Sequence, residues 1–471
     1  MSTTRRVEAI GNSRVIPAKA GIQCLCNRCS NMTNAAGFPL SRERRSVRFG
    51  QRIAVCHPSL APGHEGDALN SNSSIESVKQ DAAGATLRCA LGILFAVTNC
   101  VATAQTPPLP KSPVTISVVD VAGDLALTQG AIEAYQAKNP NLVAKVNFTK
   151  APAPELPAKL KAMQGAGRSD IDLVLTGVVA LSAGIDQGLW VKLLPDHSAK
   201  FPNVMDNYLP AAKKMQDLAQ GEALVVTFMP AGPLLEYNPD KVKQPPTTPA
   251  ELLAWCKANP NRFGYARPAN SGPGFTFLMG LPYLLGDKDP RDPAKGWDKT
   301  WAFLKELDTC IEYYTTGTAA IMKELGEGSR DMTVTMTGWD LNPRILGIVP
   351  KNFKVTPFKN MTWVNDAHYM AIPKGVPPEK LAVVLDLMAY LLKPEAQALT
   401  YDKGYFYPGP SVKNVPLAMA PKESQDAIRE FGRPEYEGWL AQYPHVPTLE
   451  AKAVVEAFRK WDSEVGAQKT K

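Results

Sequence analysis

Between residues 114 and 188, short apolar runs alternate with stretches of helical spacing, and very few folds accept that alternation. Residues 114–119 are β-branched and uninterrupted, bounded by Pro113 and Asp120, as a strand buried on both faces would be. Residues 127–138 then place Leu127, Ile132, Ala134 and Tyr135 at helical intervals and stop at Asn139 and Pro140. The pattern repeats: strand over 143–148, helix over 156–164, strand over 171–175, helix over 178–187 with Gly188 at its end. This order predicts βαβ units, hence an α/β chain whose mostly parallel sheet is flanked by helices. Ligands of such sheets collect at the carboxyl ends of strands, which places Asp124 and Gly177 beside a mouth. Asp124 reads equally well as a helix N-cap.

The sequence before this region has a different character. Residues 1–80 are rich in Ser, Arg and Asn and lack apolar periodicity, so they read as a disordered leader, or as translated sequence upstream of the true start. In residues 81–104 a basic residue, Arg88, precedes the short apolar run 89–97, and Ala102-Thr103-Ala104 follows. That is the pattern of a secretory signal peptide cleaved after Ala104. Residues 1–104 together hold 12 of the 52 Lys+Arg and 6 of the 45 Asp+Glu, so the formal charge of +7 resides almost wholly there. The remainder is nearly neutral and gives no reason to expect a nucleic-acid partner. Only Cys256 and Cys310 fall in the mature part. An oxidising compartment would let them pair, and two buried thiols are an equal reading.

A second informative stretch spans 333–375. Two β-like runs, 333–337 and 368–372, each sit near a Trp and an Asp: Trp339 with Asp340, and Trp363 with Asp366. An aromatic face beside a carboxylate suits a small organic cation, through a cation–π contact and charge-assisted hydrogen bonds. Packing tryptophans and turn aspartates are the plain alternative. Upstream, the Gly/Ser-rich run 267–276 opens an apolar helix. Ser271, Gly274 and Thr276 there offer a loop able to hold an anion on free backbone N–H groups. It lacks the lysine-bearing spacing of a nucleotide loop. A further helix is expected over 297–313, and an aromatic loop, Gly-Tyr-Phe-Tyr-Pro-Gly-Pro, over 404–410. His197, His368 and His445 are far apart in sequence and build no catalytic or metal motif. We therefore expect a non-enzyme with no cofactor and no bound metal, and read His368 as structural.

Several landmarks carry a resemblance: D-I-D-L-V-L-T-G, A-L-V-V-T-F-M-P-A-G-P-L-L-E-Y-N-P-D-K-V, P-P-T-T-P-A-E-L-L, and above all W-V-N-D-A-H-Y-M-A-I-P-K-G with L-L-K-P-E-A-Q. Their order across 113–420 resembles the family 1 extracellular solute-binding proteins of ABC importers, in the branch of polyamine, thiamine and iron binders. The resemblance implies a two-lobed periplasmic-binding-protein fold with two hinge crossings. Lobe 1 would comprise 111–230 and 363–400, and lobe 2 would comprise 238–360. Residues 401–471 would form a helical part packed on lobe 2. It also implies a monomer that works with an inner-membrane ABC permease and captures a small solute in the cleft, with Tyr237 among the lining residues. An organic cation such as a polyamine or thiamine-like compound is the favoured ligand; a small anion or ferric iron is the alternative, with Tyr313 and Tyr314 as the iron candidates. A periplasmic hydrolase or a chemosensory binding protein on the same scaffold are the rivals. Polyamine binders carry W-x-D at the second hinge. Here the motif is W-V-N-D, one residue longer, so Asp366 takes that role only if a bulge absorbs the extra residue.

Overall fold

The computed structural model describes residues 106–466 and residue 469. The expected leader and signal peptide lie outside them. Among the described residues eleven strands occur in chain order: β1 Val114–Asp120, β2 Val143–Lys150, β3 Leu173–Thr176, β4 Ala223–Gly232, β5 Leu234–Tyr237, β6 Phe263–Gly264, β7 Met332–Thr335, β8 Lys354–Pro357, β9 Trp363–Ala371, β10 Gly409–Pro410 and β11 His445–Pro447. They form two sheets. One has the order β10-β4-β9-β3-β1-β2, with β11 added to β9; the other has the order β6-β7-β5-β8.

The βαβ region behaves as its periodicity requires. β1 pairs in parallel with β2 and β3, and the helices Leu125–Lys138, Leu156–Gly165 and Val178–Asp186 connect or follow these strands. Both sheets are nonetheless mixed rather than mostly parallel. The strands that carry the chain between lobes run against their neighbours: β9 against β3 and β4, and β5 against β7 and β8. A hinge strand enters a sheet from the other lobe, so no crossover helix turns it round to run parallel.

Each sheet has its own apolar core. Ile116, Val118, Leu173, Leu175, Val225, Tyr369 and Leu385 are among the first, and Leu235, Phe263, Phe277, Trp301, Val334 and Trp461 among the second. The chain passes from one to the other at β4–β5 and β8–β9, and again between Val415 and Tyr436. Residues 401–471 therefore do not pack wholly on the second lobe. β10 pairs with β4, and Val412 and Val415 join the first core, whereas Tyr436, Val454 and Trp461 join the second. The helix expected over 297–313 stops at Asp308. Cys310 there forms a disulfide with Cys256, at a Cα–Cα distance of 5.8 Å, and so fastens this end to the helix Pro249–Ala258. That helix starts as its sequence predicts, with the Thr248 hydroxyl accepting from the Glu251 N–H. Among the described residues no helix is long and apolar enough to cross a membrane.

Candidate functional site

The carboxyl ends of strands from both sheets converge on one cavity of about 380 Å³. From the first sheet come Val121 and Ala122 after β1 and Gly177 to Ala180 after β3; from the second come Pro268 to Gly272 after β6, and Met336 and Trp339 after β7. This is where strand polarity places a ligand in an open α/β sheet. Asp366 and His368 enter from β9, and Tyr405 and Phe406 come from the aromatic loop that bridges the lobes.

Asp366 and His368 are two residues apart on a strand, so both leave it on the same face. The Asp366 carboxylate accepts the Ala367 N–H at 2.9 Å and lines the cavity. Burial raises its pKa, with the neighbouring His368 charge and that hydrogen bond opposing the rise. His368 is 6% exposed. Its Nδ1 lies 2.9 Å from Asp124 Oδ1, and its ring stacks on Phe406 with centroids 4.1 Å apart. Burial works against the imidazolium, but the Asp124 hydrogen bond and the charges of Asp124, Asp366 and Asp120 outweigh it, so the His368 pKa lies above its usual value.

Trp339 and Tyr405 form the far wall, edge to face with centroids 5.8 Å apart. They approach closely because of glycines. A Cβ on Gly338 would lie 2.2 Å from the Tyr405 carbonyl oxygen, and one on Gly123, whose φ is +83°, 2.9 Å from the Tyr405 hydroxyl. Tyr405 is thereby wedged between the loop after β1 and the helix Thr337–Ile345. Burial, then the charges of Asp120, Asp124 and Asp366, raise its pKa, so its hydroxyl keeps its proton at neutral pH.

Of the residues singled out from sequence, Gly177, Ser271, Trp339 and Asp366 line the cavity. The others do not. Asp124 is buried behind it, holding His368 and accepting from the Thr128 and Thr227 hydroxyls. Asp340 is 0% exposed within an ion-pair cluster with Arg344 and Arg433, and accepts from the Tyr436 hydroxyl at 2.7 Å. Trp363 is also 0% exposed. Its Nε1–H donates to the Trp439 carbonyl and its ring stacks on His445. Tyr237 pairs with Met332, at the end of β7 remote from the cavity. Gly274 lies against the Ala266 backbone, where a Cβ would come within 2.4 Å of the carbonyl oxygen. Thr276 is buried, its hydroxyl donating to the Gly272 carbonyl. The bulges fall on β4, between Val225 and Thr227 and between Met229 and Gly232, and not on β9 as the longer motif suggested.

Sequence reasoning missed His368, Tyr405 and Phe406. The aromatic loop was visible, but only the tertiary fold shows which way it is turned. Tyr313 and Tyr314 do not line the cavity: Tyr313 donates to Glu324 and Tyr314 to Asp308. Among the described residues no group of three or more His, Cys, Asp or Glu could hold a metal ion. The Ser271 and Thr318 hydroxyls are bonded to each other, and Ser271 also accepts the Gly274 N–H. Neither is bonded to His368 as a nucleophile would be.

Residues 130–429 match the family model described as bacterial extracellular solute-binding protein. No curated protein sequence matched the chain. Three of the solved structures that share the fold illustrate the likeness. An ABC transporter structure from Clostridium perfringens is 12% identical with a TM-score of 0.55, over 75% of this chain and 100% of the other. A periplasmic thiamin binding protein is 16% identical with a TM-score of 0.52, over 76% and 99%. The apo ferric ion-binding protein A of Pasteurella haemolytica is 15% identical with a TM-score of 0.51, over 74% and 97%. At such identities the likeness is one of fold.

Proposed function

The chain belongs to the bacterial extracellular solute-binding proteins, a family of binding proteins rather than enzymes, and on that premise we propose that it is the periplasmic substrate-binding subunit of an ABC importer. It captures a small organic solute bearing a cationic group, and the lobes close on that solute about the β4–β5 and β8–β9 crossings. It then delivers the solute to an inner-membrane permease. The observation that carries the ligand class is the Asp366 carboxylate on the cavity wall, bonded among the described residues only to the adjacent Ala367 N–H. Among the described residues no lysine or arginine lines the cavity, and Trp339, Tyr405, Phe406, Phe275 and Phe458 supply aromatic faces. A cation in that space gains charge-assisted hydrogen bonds and cation–π contacts together.

Capture by closure requires the ligand to touch both lobes, since it stabilises the closed state only through contacts made there. Asp366, His368 and residues 177–180 belong to the first sheet's side; Trp339 and residues 268–272 belong to the second. A thermal-shift screen of the protein against amines, carboxylates, phosphate, sugars and ferric citrate tests the reading. Compounds with a cationic group should raise the midpoint. At about a hundred times the dissociation constant the gain is about 2.7 kcal/mol, well within detection. Stabilisation by sugars or anions alone would sink it.

A further inference from the structure

We propose that the solute is a small zwitterion: one amine held by Asp366 and one anionic group held on the donors that face it. This rests on the cationic reading above and narrows it, because it excludes diamines and polyamines.

The argument begins with the acceptors. Asp366 is the one carboxylate lining the cavity among the described residues. The two nearest acids in the fold are already engaged. Asp120 accepts the N–H groups of Ala122, Gly123, Asp124 and Leu125 at 2.9 to 3.2 Å, and Asp124 is saturated by Thr128, Thr227 and His368. A second ammonium would find no carboxylate of its own.

Donors, in contrast, are in surplus. Three side chains that line the cavity keep a donor with no partner among the described residues: Trp339 Nε1, the Tyr405 hydroxyl and His368 Nε2. His368 is the decisive one, since it is more than nine-tenths buried and Asp124 fixes its other nitrogen. The ring is turned so that Nδ1 serves Asp124 and Nε2 is left for the cavity. Two helices begin at the cavity, one from each lobe: Val178–Asp186 after Gly177 and Gly272–Leu285 after Ser271. Their first-turn N–H groups have no intrahelical partner and carry the positive end of the dipole. At the second helix the Gly274 N–H is taken by the Ser271 hydroxyl, the Phe275 N–H by the Ser271 carbonyl, and Pro273 has none, so the Gly272 N–H is the first-turn donor that remains there.

The partners therefore come in a pair, the Asp366 carboxyl as acceptor and His368 Nε2 as donor, two residues apart on one strand face, about 6.6 Å along β9. A short zwitterion lying along this face meets a complementary group at each end. A diamine would set its second ammonium against His368 and the two helix N-termini.

The test is a calorimetric titration of the full chain with matched compounds. One set is 4-aminobutyrate, butylamine, butyrate and putrescine; a size series adds α-amino acids from glycine to tryptophan and 2-aminoethylphosphonate. At least one zwitterion should bind, and its partners lacking either charge should bind at least about 100-fold more weakly, the order expected for losing a charge-assisted contact. His368→Gln should weaken the zwitterion about tenfold, and by a clearly larger factor than it changes the weak binding of the matched amine; an equal effect on both would overturn the inference. If putrescine or butylamine binds as tightly as every zwitterion, the inference falls and the cationic reading survives. If butyrate matches 4-aminobutyrate, or if no amine binds at all, both fall. A panel in which amines bind and no zwitterion does also overturns the inference.

Discussion

Trp363 and Asp366, three residues apart on β9, leave the strand on opposite faces: Asp366 lines the cavity and Trp363 lies in the core of the second lobe. Side chains alternate along a strand, so a W-x-D motif presents both residues to one side and W-V-N-D separates them. The extra residue is thus enough to set the tryptophan on the face away from the cavity. Trp363→Ala should cost about 3–5 kcal/mol of stability, as removal of a large buried aromatic does. Solute affinity, measured under conditions where the variant is folded, should change less than about threefold. Loss of affinity in a stably folded variant would place Trp363 back in the site.

Asp340 is the second residue whose type suggested ligand binding and whose surroundings say otherwise. It is held by Arg344 at 3.0 Å and Arg433 at 2.6 Å, which joins the helix Thr337–Ile345 to the C-terminal segment. Burial disfavours its charge, but the two arginines overcome this and keep its pKa below the usual carboxylate range. Asp340→Ala leaves two arginines without their carboxylate and should destabilise the fold by about 3–5 kcal/mol. Denaturant titration of the variant checks the figure. A change below about 1 kcal/mol would show the cluster to be dispensable.

His368 gives the fold a pH dependence of known sign. Its folded-state pKa is raised, so its pairing with Asp124 contributes fully below the unfolded value of about 6.5. That contribution is lost as pH rises through the higher folded value. The stability difference between the protein and His368→Gln should be largest near pH 5–6 and shrink towards pH 9. A difference that grows with pH would contradict the pairing.

The Cys256–Cys310 bond closes a loop across 54 residues of the second lobe. Neither cysteine lines the cavity. Reduction, or the double substitution Cys256→Ala with Cys310→Ala, should lower stability by about 2–4 kcal/mol while solute affinity is kept. Unfolding curves with and without reductant measure the first, and calorimetry of the double variant the second.

Much of the fold was legible because local rules decide it. The βαβ alternation over 114–188 and the Thr248 cap follow from periodicity and turn chemistry. The site was legible only in part. Asp366, Trp339, Ser271 and Gly177 line the cavity, but which way each side chain turns is not written in its residue type. Asp340 and Trp363 were misjudged because a residue's type does not reveal the face it occupies, and Arg433, which neutralises Asp340, lies 93 residues away. His368 was read as structural for the same reason. Its partner Asp124 is 244 residues distant, and nothing local announces the pair.

The most direct test of the account is isothermal titration of the protein and its Asp366→Asn variant with the tightest solute found in the thermal screen. The account predicts a ligand bearing a cationic group and a loss of affinity of about 10- to 100-fold in the variant, the measure of one charge-assisted hydrogen bond. Circular dichroism should show the variant folded. A best ligand without a cationic group, or equal affinity in the folded variant, would contradict the claim that this cleft is built around Asp366.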